Sequence, residues 1–459
     1  MHVTESNVEG LKRQLQVVIG ADELEEKLSV RLQELKGQVR LKGFRPGKVP
    51  VSHLRKIYGR SVMAEVIEQT LSETSQRAIT DRNERPAIQP DVKLTEDKTE
   101  IERVMAGKAD LAYTMSFEIL PSIEIADLAK LSVRKPVAGV PNTAIDEAIE
   151  RLRQGAVSYD SEAGRKAGTD DRVTIDYVGK IDGEEFEGGS AEDMFVVIGK
   201  GGFIPGFEEG LEGAVAGEKR EIKATFPEEY PVKELAGREA TFDIRIKDVA
   251  AATVPNLDDD FAQKVGAESL EQVREAVTGQ ITKEYEDASR GKLKRSILDA
   301  LNENHNFDLP PSLVDTEFYT IWKQVNDNLQ QANHTFEDEG KIEETAREEY
   351  RQLAERRVRL GLILSEIGDK NEINVTEEEM GRAIVEQARQ YPGQEQKVYE
   401  HLTKTPQLLA QLRAPLYEDK VIDFISELAK VETSEVTPDE LFAEDDDDEL
   451  ISESGGGDR

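Results

Sequence analysis

The period of the hydrophobic positions changes from one stretch of the chain to the next. Leu15, Val17 and Ile19 alternate with polar residues, the pattern of a half-buried strand. From Asp22 to Val39 the spacing becomes helical, with Leu24, Leu28, Leu32 and Leu35 on one face. A second helix is predicted from about Val51 to Thr80, with Ile57, Ala64, Ile67 and Leu71 along its stripe, and Leu111 to Ile119 reads as a returning strand. Residues 1–113 therefore predict an α+β domain that presents the loop between its two helices as a tip, where binding residues are commonly placed.

A Pro-bearing stretch from Pro121 to Pro141 predicts a semi-rigid extended link, followed by a short helix near Ala144 to Gln154. Residues 114–155 are expected to form a connector packed on a helical domain. From 156 to 250 the chain turns Gly-rich, with β-patterned runs at Arg172–Gly179, Met194–Ile198, Glu218–Thr225 and Thr241–Val249 and a helical signal only near Phe207–Leu211. That predicts a small twisted antiparallel sheet with one short helix. Residues 251–431 are helical in pattern. Leu353, Leu360, Leu364 and Ile367 share a face, and Thr376 with Glu379 forms a capping box ahead of the stripe Met380, Ile384, Ala388 and Tyr391. Pro310 and Pro311 separate one helix from the next. Residues 432–459, with the acidic run Glu444 to Glu449 and the glycines Gly455 to Gly457, have little apolar area to bury and predict a disordered, solubilising tail. The fold class expected is multidomain α+β: an α+β domain, an antiparallel sheet domain with one short helix, an all-α domain and the acidic tail.

Charge singles out the first loop. The chain carries a formal net charge of -35, yet from Leu35 to Ala64 there is no Asp or Glu. Lys36, Arg40, Lys42, Arg45, Lys48, Arg55, Lys56 and Arg60 fall in that stretch. A cationic island on an anionic protein points to one anionic docking target rather than general stickiness. At its centre, two glycines and two prolines shape the loop Gly43-Phe44-Arg45-Pro46-Gly47-Lys48-Val49-Pro50, from which Phe44, Arg45 and Lys48 project. Cations flanking an aromatic suit a surface of RNA phosphate and protein. The plainer alternative is a solvated basic loop.

Composition excludes several classes. With no Cys there is no disulfide, thiolate metal site or thiol nucleophile, which fits a reducing compartment. His2, His53, His305, His334 and His401 are scattered without metal-ligand spacing. No phosphate-binding G-x-x-x-x-G-K-[ST] occurs, and the run Gly199-Lys200-Gly201-Gly202 lacks the Ser or Thr it would need. No cofactor is expected. Met1 to Gly10 is polar, unlike a secretory signal, and no stretch is apolar over the roughly 20 residues of a membrane span, so a bacterial cytosolic location is expected. The overall acidity argues against broad nucleic-acid binding.

Gly-Phe-Arg-x-Gly-Lys-x-Pro resembles the ribosome-docking signature of bacterial trigger factor at every fixed position. The resemblance implies docking on a ribosomal protein at the tunnel exit, beside ribosomal RNA, with Phe44, Arg45 and Lys48 as contacts. A second set of motifs begins with Arg172-Val173-Thr174-Ile175-Asp176-Tyr177-Val178-Gly179 and Phe186-Glu187-Gly188-Gly189. It continues through Phe203-Ile204-Pro205-Gly206-Phe207-Glu208-Glu209-Gly210-Leu211, Phe226-Pro227 with Tyr230, and Phe242-Asp243-Ile244. In order and spacing these look like an FKBP-type peptidyl-prolyl isomerase domain. Turning an X–Pro bond needs no acid, base or nucleophile; it needs a dry pocket fitted to the twisted imide. Tyr177, Phe186, Phe203, Ile204, Phe207, Tyr230 and Phe242 supply such residues, and the resemblance makes Phe207 the floor and Tyr177 and Phe242 the walls. The alternative is that these aromatics are core. Many free-standing FKBP-type isomerases have Trp where this chain has Phe207, whereas trigger factors commonly have Phe. Met194, at a position often aromatic, is left out of the set.

The resemblance to trigger factor runs through all three segments in order. It implies that the helical segment and the chain before the isomerase domain form a body with arm-like projections, and that the isomerase domain is an insertion. The function expected is an ATP-independent chaperone that meets nascent and unfolded chains at the ribosome and isomerises X–Pro bonds. A possible homodimer off the ribosome and links to protein export and cell division are expectations of the family alone. The alternatives are a free soluble prolyl isomerase whose flanking domains only recruit substrate, and an RNA-binding factor, which would need a broad basic face.

Overall fold

The computed structural model describes residues 1–443 apart from 40, 42, 43, 45–47, 96, 229, 231, 234, 333, 339 and 341. Contacts divide the chain into two compact units, one of residues 1–136 with 289–459 and one of residues 137–288.

The first unit opens with β1 (His2–Glu9), β2 (Lys12–Ile19), α1 (Ala21–Gln38), α2 (Val51–Thr80), β3 (Asp91–Leu94), α3 (Lys98–Met105) and β4 (Leu111–Glu118). The strands form an antiparallel sheet in the order β1-β2-β4-β3. β4 alternates buried and half-exposed residues along its whole length, so Leu111, Tyr113, Met115 and Phe117 meet Leu15, Val17 and Ile19 in one core with Leu24, Leu28 and Leu32 of α1. One strand has no signal in the sequence pattern, and one expectation, the buried face of α2, fails. The polar first ten residues form a strand, exposed throughout, because β2 offers it an edge to pair with. On α2 the buried face is Leu54, Val62, Met63, Val66, Thr70, Thr74 and Ala78, while Ile57 and Ala64 are exposed. A stripe of apolar residues alone misses two threonines that belong to the core.

The stretch after β4 packs on helices and ends in a strand. Ile123, Leu131 and Val133 are buried against helices, and β5 (Ser132–Val137) makes a two-stranded sheet with a strand near the end of the chain. The Ala126 N–H donates to Nε2 of buried His305 at 3.0 Å, and Nδ1 of that ring lies 2.7 Å from the Leu301 carbonyl oxygen.

The second unit holds α4 (Asn142–Gly155), β6 (Ser158–Ser161), β7 (Arg172–Ile181), β8 (Glu184–Val197), α5 (Phe207–Leu211), β9 (Lys219–Thr225), β10 (Glu239–Thr253), α6 (Asp259–Lys264) and the first part of α7 (Leu270–Asn304). Long β10 is the hub. It pairs with β7 on one edge and with β9 and then β6 on the other, while β8 flanks β7. Residues 137–155 and 257–288, assigned from sequence to a connector and to the helical domain, fall in this unit because Ile145 and Ile149 of α4 pack on Phe261, Ala262 and Val273.

The remainder of α7 returns to the first unit, with α8 (Pro311–Ala332), α9 (Glu343–Lys370), α10 (Glu377–Arg389), α11 (Glu395–Lys404), α12 (Pro406–Leu428), β11 (Lys430–Glu435) and α13 (Pro438–Phe442). Leu360, Ile363, Leu364 and Ile367 pack with Ile297, Leu301, Val421, Ile422 and Ile425. The capping box at Thr376 and Glu379 forms, but Tyr391 beyond its helix is half exposed. Residues 432–442, expected to belong to a disordered tail, are ordered. β11 pairs with β5, and α13, capped by Thr437 and Glu440, buries Leu441. The acidic run from Glu444 onward lies outside the described residues.

Candidate isomerase cavity and docking loop

β7 and β10 pair so that Ile244 faces Tyr177 and Phe242 faces Gly179. The absence of a side chain at 179 is what admits the rings: a Cβ there would stand 2.8 Å from both Phe186 and Phe242. Phe207 enters from α5 and is 1% exposed. Its ring meets Phe242 edge-on at 5.1 Å and Tyr177 at 5.8 Å, and Phe203 stacks on it at 5.0 Å and 12°. Phe186 lies 6.4 Å from Phe242 and 5.9 Å from Phe226, which in turn meets Tyr230 at 4.8 Å. Each such edge-to-face or offset pair contributes about 0.5–1.5 kcal/mol beyond its buried area, so the rings fix one another's positions.

Tyr177, Phe186, Phe203, Ile204, Phe207, Tyr230 and Phe242 all line one cavity of about 530 Å³. Phe207 and Phe242 are also buried members of the core, so the same rings both pack the domain and border the cavity. Phe226, Pro205, Pro227, Val232 and Leu235 complete the wall and were not in the predicted set. Phe226-Pro227 stood in the motif, and only its placement was not legible. Met194 sits on β8 opposite Ile175, more than a third exposed, and does not line the cavity. Among the described residues the lining has no Asp, Glu, His, Lys or Arg, and its tyrosines are the only ionisable groups. Burial, with a smaller contribution from Tyr230, pushes the Tyr177 phenol above its ordinary value, so it stays a neutral hydrogen-bonding group.

In the first unit Phe44 is 38% exposed, its ring 5.1 Å from that of His53 at the start of α2. Lys48 is exposed. Arg45, with Gly43, Pro46 and Gly47, lies outside the described residues. Arg55 of the cationic island is held by both carboxylate oxygens of Glu25, one at 2.8 Å, so part of the island is neutralised within the domain.

Family models match nearly the whole chain. Residues 1–152 match the bacterial trigger factor protein, 163–247 the FKBP-type peptidyl-prolyl cis-trans isomerase, and 269–427 the trigger factor C-terminus. A trigger factor of Parvibaculum lavamentivorans is 51% identical over 447 residues, covering 97% of this chain and 87% of that protein. The chain belongs to the trigger factor family. A trigger factor of Brucella abortus is 50% identical, covering 97% of this chain and 94% of its own length. A solved structure of the trigger factor chaperone, 19% identical, shares the fold with a TM-score of 0.56, covering 93% of this chain and all of that one. As a member of the family, the protein is a ribosome-associated chaperone that carries a peptidyl-prolyl cis-trans isomerase domain. Among the described residues no helix is long and apolar enough to cross a membrane.

Proposed function

We propose that isomerisation takes place in the cavity lined by Tyr177, Phe186, Phe203, Ile204, Phe207, Tyr230 and Phe242, and that the protein docks on the ribosome through the 43–50 loop. Phe44, Arg45 and Lys48 are the contacts, with an exit-tunnel protein and adjacent ribosomal RNA as their targets. The observation that carries the isomerase half is the lining itself: aromatic and aliphatic, converging on one space, without an acid or base among the described residues. An X–Pro bond turns against a barrier of about 18–20 kcal/mol set by amide resonance. As the bond twists, resonance is lost and charge leaves the imide oxygen. A water-poor apolar wall therefore favours the twisted form over the planar one. Phe207 supplies the floor on which the proline ring rests, and Tyr177 and Phe242 stand at right angles to hold it. The neutral Tyr177 hydroxyl offers the substrate a hydrogen bond without adding charge.

The docking half is supported by the exposed Phe44 ring within a stretch that has no acid. Lys and Arg draw the loop to phosphate, and the ring buries apolar area once there. Nascent and unfolded chains are the clients, and no cofactor enters. The protein resides in the cytoplasm, partly on ribosomes, with a homodimer as its free form. The test is co-sedimentation with bacterial ribosomes at two salt concentrations, comparing the intact protein with a Phe44→Ala, Arg45→Ala, Lys48→Ala variant. The reading expects the intact protein to pellet, salt to weaken it and the variant to stay in solution. Equal pelleting of the two removes the loop from the interface and leaves a free isomerase with chaperone domains.

A further inference from the structure

Glu208 follows the cavity floor in sequence and is a buried carboxylate, 8% exposed, among residues that are otherwise apolar. Its side chain does not point at the cavity lining but accepts three backbone N–H groups of the preceding loop. Oε2 receives Gly199 at 2.8 Å and Gly201 at 3.2 Å, and Oε1 receives Phe203 at 3.2 Å. Gly201 has φ +70°, a conformation costly for other residues. The bonded segment ends at Phe203, which stacks on Phe207, and runs on into Ile204; both line the cavity.

We propose that Glu208 is a positioning residue of the isomerase site: its carboxylate ties the 199–203 backbone to α5 and so fixes Phe203 and Ile204 against Phe207. This rests on the cavity being the isomerase site. The reasoning is one of degrees of freedom. The 199–202 run of three glycines and a lysine has high backbone freedom, and it has no apolar side chain to pack. A neutral side chain cannot replace the acid, because only an ionised carboxylate presents acceptors on both oxygens to several N–H donors at once. Burial opposes its ionisation, but the N–H groups of Gly201, Gly199 and Phe203 together outweigh burial and hold the carboxyl below the ordinary range. No cation pairs with Glu208 among the described residues. Lys200 of the loop pairs instead with Asp170 at 3.1 Å, and Glu209 and Glu212 of the same turn lie alongside.

The test uses the full-length protein with Glu208→Gln, beside Ile246→Ala as a core variant outside the cavity lining and Phe207→Leu as a check on the cavity. Isomerisation of a short X–Pro peptide is followed well below the melting temperature, and melting is followed by circular dichroism. Glu208→Gln is expected to lower kcat/KM about tenfold, the size of one misplaced wall contact, with the Gly199, Gly201 and Phe203 amide resonances shifted. Ile246→Ala is expected to melt lower yet keep wild-type kcat/KM. If Glu208→Gln melts lower but keeps its kcat/KM, Glu208 is only a structural cap and the proposal is overturned. If Phe207→Leu is fully active, the cavity assignment fails whatever Glu208 does. Should Glu208→Gln not fold, the wild-type protein is taken from pH 7 to pH 3 with the same amides followed. The proposal expects kcat/KM to fall as those amides titrate, and a rate that stays flat through their titration overturns it.

Discussion

Glu118, the last residue of β4, accepts both the backbone N–H and the hydroxyl of Ser312, at 2.8 and 2.6 Å. Ser312 lies in the first turn of α8, behind Pro310, whose side chain has no acceptor with which to cap a helix. A carboxylate from a sheet 194 residues away therefore does the work of an N-cap, and its charge also meets the positive end of the helix. Glu118→Ala is expected to weaken the first turn of α8 by about 1–2 kcal/mol. Hydrogen exchange of the Ser312 to Val314 amides reads this directly. Unchanged protection there would mean that the helix end is held by packing alone.

The buried threonines of α2 predict opposite signs for two conservative changes. The Thr74 hydroxyl bonds the Thr70 carbonyl at 2.6 Å and the Tyr113 hydroxyl at 2.8 Å, and Ser75 reaches the same phenol at 3.1 Å. Thr70 itself is fully buried, and its hydroxyl has no partner among the described residues. Thr70→Val is expected to stabilise the first domain by about 1 kcal/mol, since it removes an unpaired buried hydroxyl at nearly constant shape. Tyr113→Phe is expected to cost about 1–2 kcal/mol by stranding its partners. Amide exchange in α2 and β4 measures both, and a loss of protection in Thr70→Val contradicts the account.

These threonines also show where the sequence was mute. The first sheet and α9 were legible because Leu15, Val17 and Ile19 in the one, and Leu353, Leu360 and Leu364 in the other, carry the period of their element. Thr70 and Thr74 lie at positions a hydrophobic count skips, so the buried face of α2 was misdrawn. The seven cavity residues were found because their motifs are dispersed and ordered, which chance rarely produces. Glu208 was printed within one of those motifs, yet an acid in the first turn of a helix reads as ordinary dipole complement. Only coordinates reveal that it turns back to bind three amides. The ordered stretch from 430 to 442 was hidden for another reason. Its partner, β5, lies some 300 residues upstream, and no local signal announces so distant a pairing.

Phe207 separates packing from catalysis. Its ring is fully buried and touches Phe203, Tyr177 and Phe242, so Phe207→Ala would leave a void costing about 3–5 kcal/mol. Phe207→Leu keeps most of the volume and removes the flat floor. It is expected to lower kcat/KM for an X–Pro peptide about tenfold or more, a barrier change of at least about 1.4 kcal/mol. Binding of the protein to ribosomes should be unaffected. A folded Phe207→Leu protein with wild-type isomerase activity would remove the floor from the mechanism.

Glu379 gives the protein a distinct acid-sensitive joint. Its carboxylate takes the Thr376 N–H at 2.7 Å, Lys420 Nζ of α12 at 2.9 and 3.0 Å, and the Thr376 hydroxyl at 3.0 Å. Together these pull its pKa from 4.5 to about 2, the backbone N–H of Thr376 contributing most. The folded carboxyl thus binds protons less readily than the unfolded one. Stability it contributes is present above about pH 4.5 and is lost as pH falls toward 2. The gap in α10 amide protection between the wild type and Glu379→Gln should hold level from pH 7 to pH 5 and shrink steadily below pH 4.5. Lys420→Met should narrow the gap at neutral pH without abolishing it, because the capping box remains. A gap that persists undiminished at pH 2.5 would show that shape, not charge, holds α10 to α12.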